Sequence, residues 1–224
     1  DKPTDNLVGY SVDYYTDEQD ETIVYLCAAG VKNKELIVDA EDIIGLSEKT
    51  FRYYEGDRER MAQLEKSLYA VYNSEALAQY SQEDFIPSYG DVRLLDNDGD
   101  GVYDIAFIRD IKYVIVGSVN SVNQVIYDKE DAEKTVYFDE AQRVMITEGN
   151  SNVQNFSGIR PYDVLAVEKS CSGENLRIQI TRSPISGAVS ALEDTGDALT
   201  ITVNGTAYEV LKDEQKRAAY DRYG

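Results

Sequence analysis

The nine residues from Asp96 to Asp104 read DNDGDGVYD, which sets a carboxylate at nearly every second place along a short loop. Asp96, Asp98 and Asp100 stand at positions 1, 3 and 5, the Val102 carbonyl is available at position 7, and Asp104 stands at position 9. Calcium is a hard cation that takes roughly six to eight oxygens, and a loop of this layout supplies them if its backbone can curl around the ion. Gly101, at position 6, gives the chain that freedom. The residue types therefore point to calcium, with Asp96, Asp98, Asp100 and Asp104 offering side-chain oxygens and Val102 its carbonyl. The plainer reading is an acidic turn. That reading leaves four like charges crowded at one tip, a repulsion that a bound divalent ion would offset.

The elements needed to hold such a loop lie on either side of it. DVRLL before it alternates as a strand, and YDIAFIRDIKYVIVGSV after it reads as one long strand or two shorter ones. The loop is thus expected at the tip of a β-hairpin. A helical calcium hand is excluded, because Phe107 occupies position 12, where a bidentate Glu is required, and strands stand where helices should.

Strands dominate the rest of the chain. NLVGYSVDYYT and ETIVYLCAAG form an expected hairpin across the acidic linker DEQD, and KELIVDAEDI supplies another strand. NQVIYD, KTVYFD, RVMITE, DVLAVEKS and LRIQITR follow with turn residues every 8 to 12 positions. The expected class is mostly β, in small barrels or sandwich-like sheets with few helices. One helix is expected within DRERMAQLEKSLYAVYNSEALAQY, where Met61, Leu64, Leu68 and Val71 recur at three- and four-residue steps, although LYAVYN also suits a strand. A second, amphipathic helix is expected at the C-terminus, with Leu211, Ala218 and Tyr220 partly inward. The polar, turn-rich segment 149–158 suggests a division into a β domain over 1–155 and a smaller one over 156–224.

Composition narrows the function classes. Twenty-two Lys and Arg against 42 Asp and Glu give a net charge of -20 over 224 residues, a field that repels nucleic acid and anionic membranes. The chain has no His, which removes histidine-based triads, general bases and imidazole metal sites. No G-x-S-x-G or comparable nucleophile motif is present, and with 42 acidic residues a carboxylate pair carries no signal of its own, so no catalytic residue is assigned. Cys27 and Cys171 lie far apart, which leaves a long-range disulfide open and two buried thiols as the simpler expectation. The longest apolar runs are too short to span a bilayer. The opening DKPTDNLVGY has no basic region followed by an apolar segment, which leaves a cytoplasmic chain or one whose signal peptide lies outside these residues.

With no Trp and 18 Tyr, any aromatic recognition surface must be built from tyrosine. The pairs Tyr14–Tyr15 and Tyr53–Tyr54 could stack on sugar rings, and a row of exposed tyrosines on one sheet face would mark a carbohydrate-binding module. At strand spacing, tyrosine more often fills a half-buried position with its hydroxyl at the surface.

The loop resembles the DxDxDGxxD calcium hairpins of FG-GAP propeller repeats and related extracellular β modules. Together with LVGYSVDYY, VYNSEAL, PSYGDVRLLDNDGDGVYDIAFI, DVLAVEKS and SGAVSAL followed by ITVNGTAYEV, the chain resembles β-rich segments of large surface proteins of Gram-positive, Clostridia-like bacteria that carry S-layer homology repeats. That resemblance implies a non-catalytic, extracellular cell-surface or wall location. It also implies partners among other segments of the same protein or cell-wall components, with neither nucleic acid nor membrane insertion. No S-layer homology repeat is visible in these residues. The tail AYEVLKDEQKRAAYDRYG resembles the end of a J-domain, but the His-Pro-Asp loop of that family is impossible in a chain without His. The remaining alternative is a glycan hydrolase working through paired carboxylates.

Overall fold

A computed structural model describes residues 7–17, 23–29, 33–139, 141–149, 151–153, 156–182, 187–194 and 199–210. Over these the protein is mostly β, with short 3-10 turns and no α-helix. The expected C-terminal helix over 211–224 lies outside the described residues. Among the described residues, no helix is long and apolar enough to cross a membrane.

The chain divides into two interleaved units. Unit 1 takes Asp1–Lys112, Glu140–Val144 and Glu168–Arg177, and unit 2 takes Tyr113–Asp139, Met145–Val167 and Ile178–Gly224. Segment 149–158, expected above as a boundary, lies within unit 2.

Unit 1 carries β1 (Val12–Thr16), β2 (Ile23–Ala28), β3 (Lys34–Asp39), β4 (Ile43–Ser47), β5 (Thr50–Glu55), β6 (Arg58–Tyr72), β7 (Glu75–Ala76), β8 (Gly90–Asp96) and β9 (Tyr103–Asp110). Strands β1 and β2 form the antiparallel hairpin that the sequence suggested. The main sheet runs β3-β8-β9-β6-β5-β4, with β7 pairing β6. Val38 on β3 and Leu46 on β4, from opposite ends of that order, join one buried cluster with Phe51, Leu64, Val92 and Ile108. The sheet therefore curls to close one face on itself, as a twisted sheet must to bury that face without covering helices.

The helix expected within residues 57–80 is replaced by the long strand β6 and the short β7. Ala62, Leu64, Leu68 and Ala70 are buried while Met61 is 65% exposed, so burial follows the two-residue period of a strand. Leu64 and Leu68 belong to both the helical and the strand set, which is why the spacing misleads. What decides the matter is pairing: β6 runs antiparallel to β5 over Arg58–Gln63 and then parallel to β9 from Leu64 onward. Two ladders, with an irregularity between Leu64 and Tyr69, pair most of its length, and tertiary context overrides a weak local preference.

A second seven-stranded sheet comprises β10 (Lys112–Asn120), β11 (Val125–Asp128), β12 (Val136–Tyr137), β13 (Arg143–Glu148), β14 (Ser151–Asn152), β15 (Val164–Lys169) and β16 (Asn175–Thr181), in the order β12-β11-β10-β15-β16-β13-β14. Val114, Val116, Ile126, Leu165, Ile178 and Ile180 form its buried face. A third sheet joins β17 (Val189–Asp194), β18 (Leu199–Val203) and β19 (Thr206–Val210). In unit 2, Arg182 forks onto the buried Asp163 carboxylate, with Nε and Nη2 each at 2.9 Å, and reaches Glu148 and the Gly158 carbonyl. Both cysteines are free, and neither is buried as expected: Cys27 is half-buried and Cys171 is exposed.

Candidate metal centre

The acidic loop sits where the sequence placed it, between the antiparallel partners β8 and β9. Their register ends at Leu95 opposite Ile105, and one further step brings Asp96 opposite Asp104 across the mouth of the hairpin. Directly opposed strand residues have Cβ atoms about 5 Å apart. The hairpin register alone therefore brings positions 1 and 9 of the loop together.

The loop between them is folded by acidic side chains. Asp96 Oδ1 accepts from the Gly99 amide at 2.6 Å and its Oδ2 from the Gly101 amide at 3.0 Å. Asp98 Oδ1 accepts from the Asp100 amide at 3.0 Å, and Asp100 Oδ1 from the Val102 amide at 2.7 Å. Asp104 Oδ2 accepts from the Asn97 amide at 2.8 Å. Short acidic side chains thus do for this turn what a ladder does for a strand. Gly101 adopts φ +93°, yet nothing lies within 4 Å of where its Cβ would be. It is glycine for backbone conformation, not for space.

Asp96, Asp98 and Asp104 converge, each offering a carboxylate oxygen within 4.8 Å of the others. Asp100 is not in that group; its carboxylate caps Val102 at the exposed tip. Asp96 is only 1% exposed. Burial pushes the Asp104 carboxyl above the usual range, the Asn97 amide opposes that, and the Asp98, Asp96 and Asp100 charges add to it.

Two neighbours of the loop went unrecognised in the sequence. Lys34 is the register partner of Asp96 on β3, and its ammonium stands 3.5 Å from Asp96 Oδ2. Ser11 donates its hydroxyl to the Asn97 carbonyl at 2.6 Å, and Asn97 Nδ2 donates to the Gly9 carbonyl at 3.4 Å. Both contacts join segments far apart in the chain, and neither residue type carries a local signal. Gly9, at φ +91°, lies so close to Leu95 and Phe107 that a Cβ would approach them to 2.7 and 2.8 Å.

The donor set is entirely hard oxygen, the chemistry that calcium and magnesium require. A carboxylate oxygen has more than one acceptor site, so the amide bonds to Asp96 leave capacity on both of its oxygens. Lys34 already supplies one positive charge beside Asp96. No family model, no curated protein and no solved structure matches this chain.

Proposed function

We propose that the chain is a non-catalytic, extracellular cell-surface module whose 96–104 hairpin is a structural calcium site. The observation that carries this reading is the convergence of Asp96, Asp98 and Asp104 within 4.8 Å at the hairpin mouth, Asp96 among them being only 1% exposed. An ion held there would tie the end of β8 to the start of β9 and neutralise their mutual repulsion. Affinities of extracellular modules lie near 0.1 to 1 mM, a range that only calcium-rich surroundings would fill. The resemblance to bacterial surface proteins supports the same location and suggests other segments of such a protein, or cell-wall components, as partners.

A second reading is a metal-independent acidic turn, favoured by the Lys34 ammonium and by the backbone amides that already bond to Asp96. Melting temperature in EDTA and in about 2 mM calcium separates the two. With a dissociation constant near 0.1 mM, linkage stabilises by about 1.8 kcal/mol, a rise of roughly 4 to 7 °C for a chain of this size. Asp98→Ala, at an exposed position, should abolish that rise. A calcium-independent melt assigns the loop to the second reading. Release of reducing ends from wall polysaccharide, if observed, would instead favour the hydrolase.

A further inference from the structure

Consecutive residues on a strand point to opposite faces, so the tyrosine pairs conspicuous in the sequence cannot form a row by themselves. Tyr53 packs against the core of unit 1 while Tyr54 is exposed, and Tyr14 and Tyr15 take opposite faces of β1. A row must be assembled across strands. In unit 2 the pairing Val125↔Tyr137 joins β11 to β12, and the pairings Asn120↔Val125 and Ser118↔Tyr127 join β10 to β11. Ser118, Asn120, Val125, Tyr127 and Tyr137 therefore share one face, on which Val125 is itself buried at 6%; Ile126 and Val136 point to the opposite face and are buried at 0% and 7%.

Tyr127 and Tyr137 are 42% and 51% exposed. They stand in diagonal register, which places side chains on neighbouring strands about 7 to 8 Å apart. Asn120 Oδ1 is held by the Val122 and Asn123 amides at 3.2 and 3.1 Å, which directs its Nδ2 hydrogens elsewhere. The five positions are uncharged in a chain of net charge -20. A second copy would bring the same negative field and be repelled, and an anionic polymer would be repelled likewise. An uncharged chain of polyols meets no such barrier.

We propose that this face of β10, β11 and β12 binds a neutral polysaccharide, with Tyr127 and Tyr137 stacking on sugar rings and Ser118 and Asn120 bonding to hydroxyls. Tyrosine suits the task because it presents apolar ring area with a polar tip and loses little side-chain entropy. The Tyr15–Tyr25 pair on β1 and β2 is less suited: its rings pack on each other at 5.8 Å and 48°, and Asp13 shares their face. The site lies outside the acidic loop and is independent of the calcium reading, so its test is run in EDTA.

The test is native electrophoresis of the full chain in gels containing a soluble neutral β-glucan or a galactomannan. At least one of them is expected to retard the protein, to an extent unchanged by added salt. Tyr127→Ala and Tyr137→Ala should each weaken apparent affinity by about three- to tenfold. Tyr127→Phe should retain the stacking, and Tyr25→Ala should behave as the parent. Far-UV circular dichroism of each variant verifies the fold. The proposal is overturned by migration unaffected in both polysaccharides, by retardation that persists in the Tyr127→Ala, Tyr137→Ala double variant, by loss of retardation with Tyr25→Ala, or by binding that disappears with salt.

Discussion

The Ser11 hydroxyl donates a 2.6 Å hydrogen bond to the carbonyl of Asn97, joining residues 86 positions apart. It fastens the segment ahead of β1 to the second residue of the acidic loop, and Asn33 holds the same serine from the other side through its amide and carbonyl at 2.7 and 2.9 Å. The loop is thus supported from outside its own hairpin. Ser11→Ala should cost about 1 kcal/mol, a fall of roughly 2 to 4 °C in melting temperature. The calcium-induced rise should remain, because the serine touches a backbone carbonyl and no carboxylate.

Lys34 competes for the charge of Asp96. Its side chain is 58% exposed while that of Asp96 is 1% exposed, so the ammonium can withdraw to water when a divalent ion arrives. Lys34→Met removes the competitor and keeps the aliphatic stem. In metal-free buffer the variant should be slightly less stable than the parent. Its calcium affinity, read by titration calorimetry, should be about three- to tenfold tighter, the size of a partly screened charge contact.

Asn73 is 7% exposed and fully bonded. Its Nδ2 donates to the carbonyls of Asp110 at 2.8 Å and Lys169 at 2.9 Å, its Oδ1 accepts from the Asp110 amide at 2.9 Å, and its own amide reaches Ile108. Its φ of +42° is one that asparagine tolerates better than most residues. Asn73→Ala orphans three backbone groups and should cost about 3 kcal/mol or more, seen as a lower urea midpoint at unchanged slope. Asn73→Asp should be no milder, since a carboxylate cannot donate to two carbonyls.

Glu75 receives the Ser172 amide at 2.9 Å and the Ser172 hydroxyl at 2.8 Å on one oxygen. These bonds, the amide first, hold its carboxyl below the usual range. A lowered folded value means the ionised form is favoured in the fold. Its contribution is full above the ordinary glutamate value of about 4.3 and disappears as pH falls through the lowered one. Glu75→Gln should therefore melt about 2 to 4 °C below the parent at pH 7. The gap should narrow in acid, in melts taken from pH 7 downward.

What the sequence made legible was local. The acidic hairpin could be placed because carboxylate spacing, glycine and flanking alternation all act within about fifteen residues, and the strand succession could be read for the same reason. Strand β6 was misassigned because its identity is fixed by partners: β5 lies next to it in the chain, but β9 follows only after the acidic loop. Lys34, Ser11 and Asn73 escaped notice because the residues they bond are brought near only by the completed sheet. The tyrosine face was hidden in another way. Its members sit on different strands, and only the registers of β10, β11 and β12 reveal that they point the same way.

The interleaving of the two units has a consequence for how the chain comes into being. Residues 168–177 belong to unit 1, and they supply the carbonyl of Lys169 for Asn73 and the hydroxyl of Ser172 for Glu75. A ribosome that has delivered Lys112 must still add all of 113–177 before unit 1 is whole, about 3 to 13 s at roughly 5 to 20 residues per second. During that interval the buried face of the curled sheet can form while Asn73 waits without its distant acceptor. A chain stopped before Lys169 therefore lacks both distant partners, the acceptor for Asn73 and the donor to Glu75.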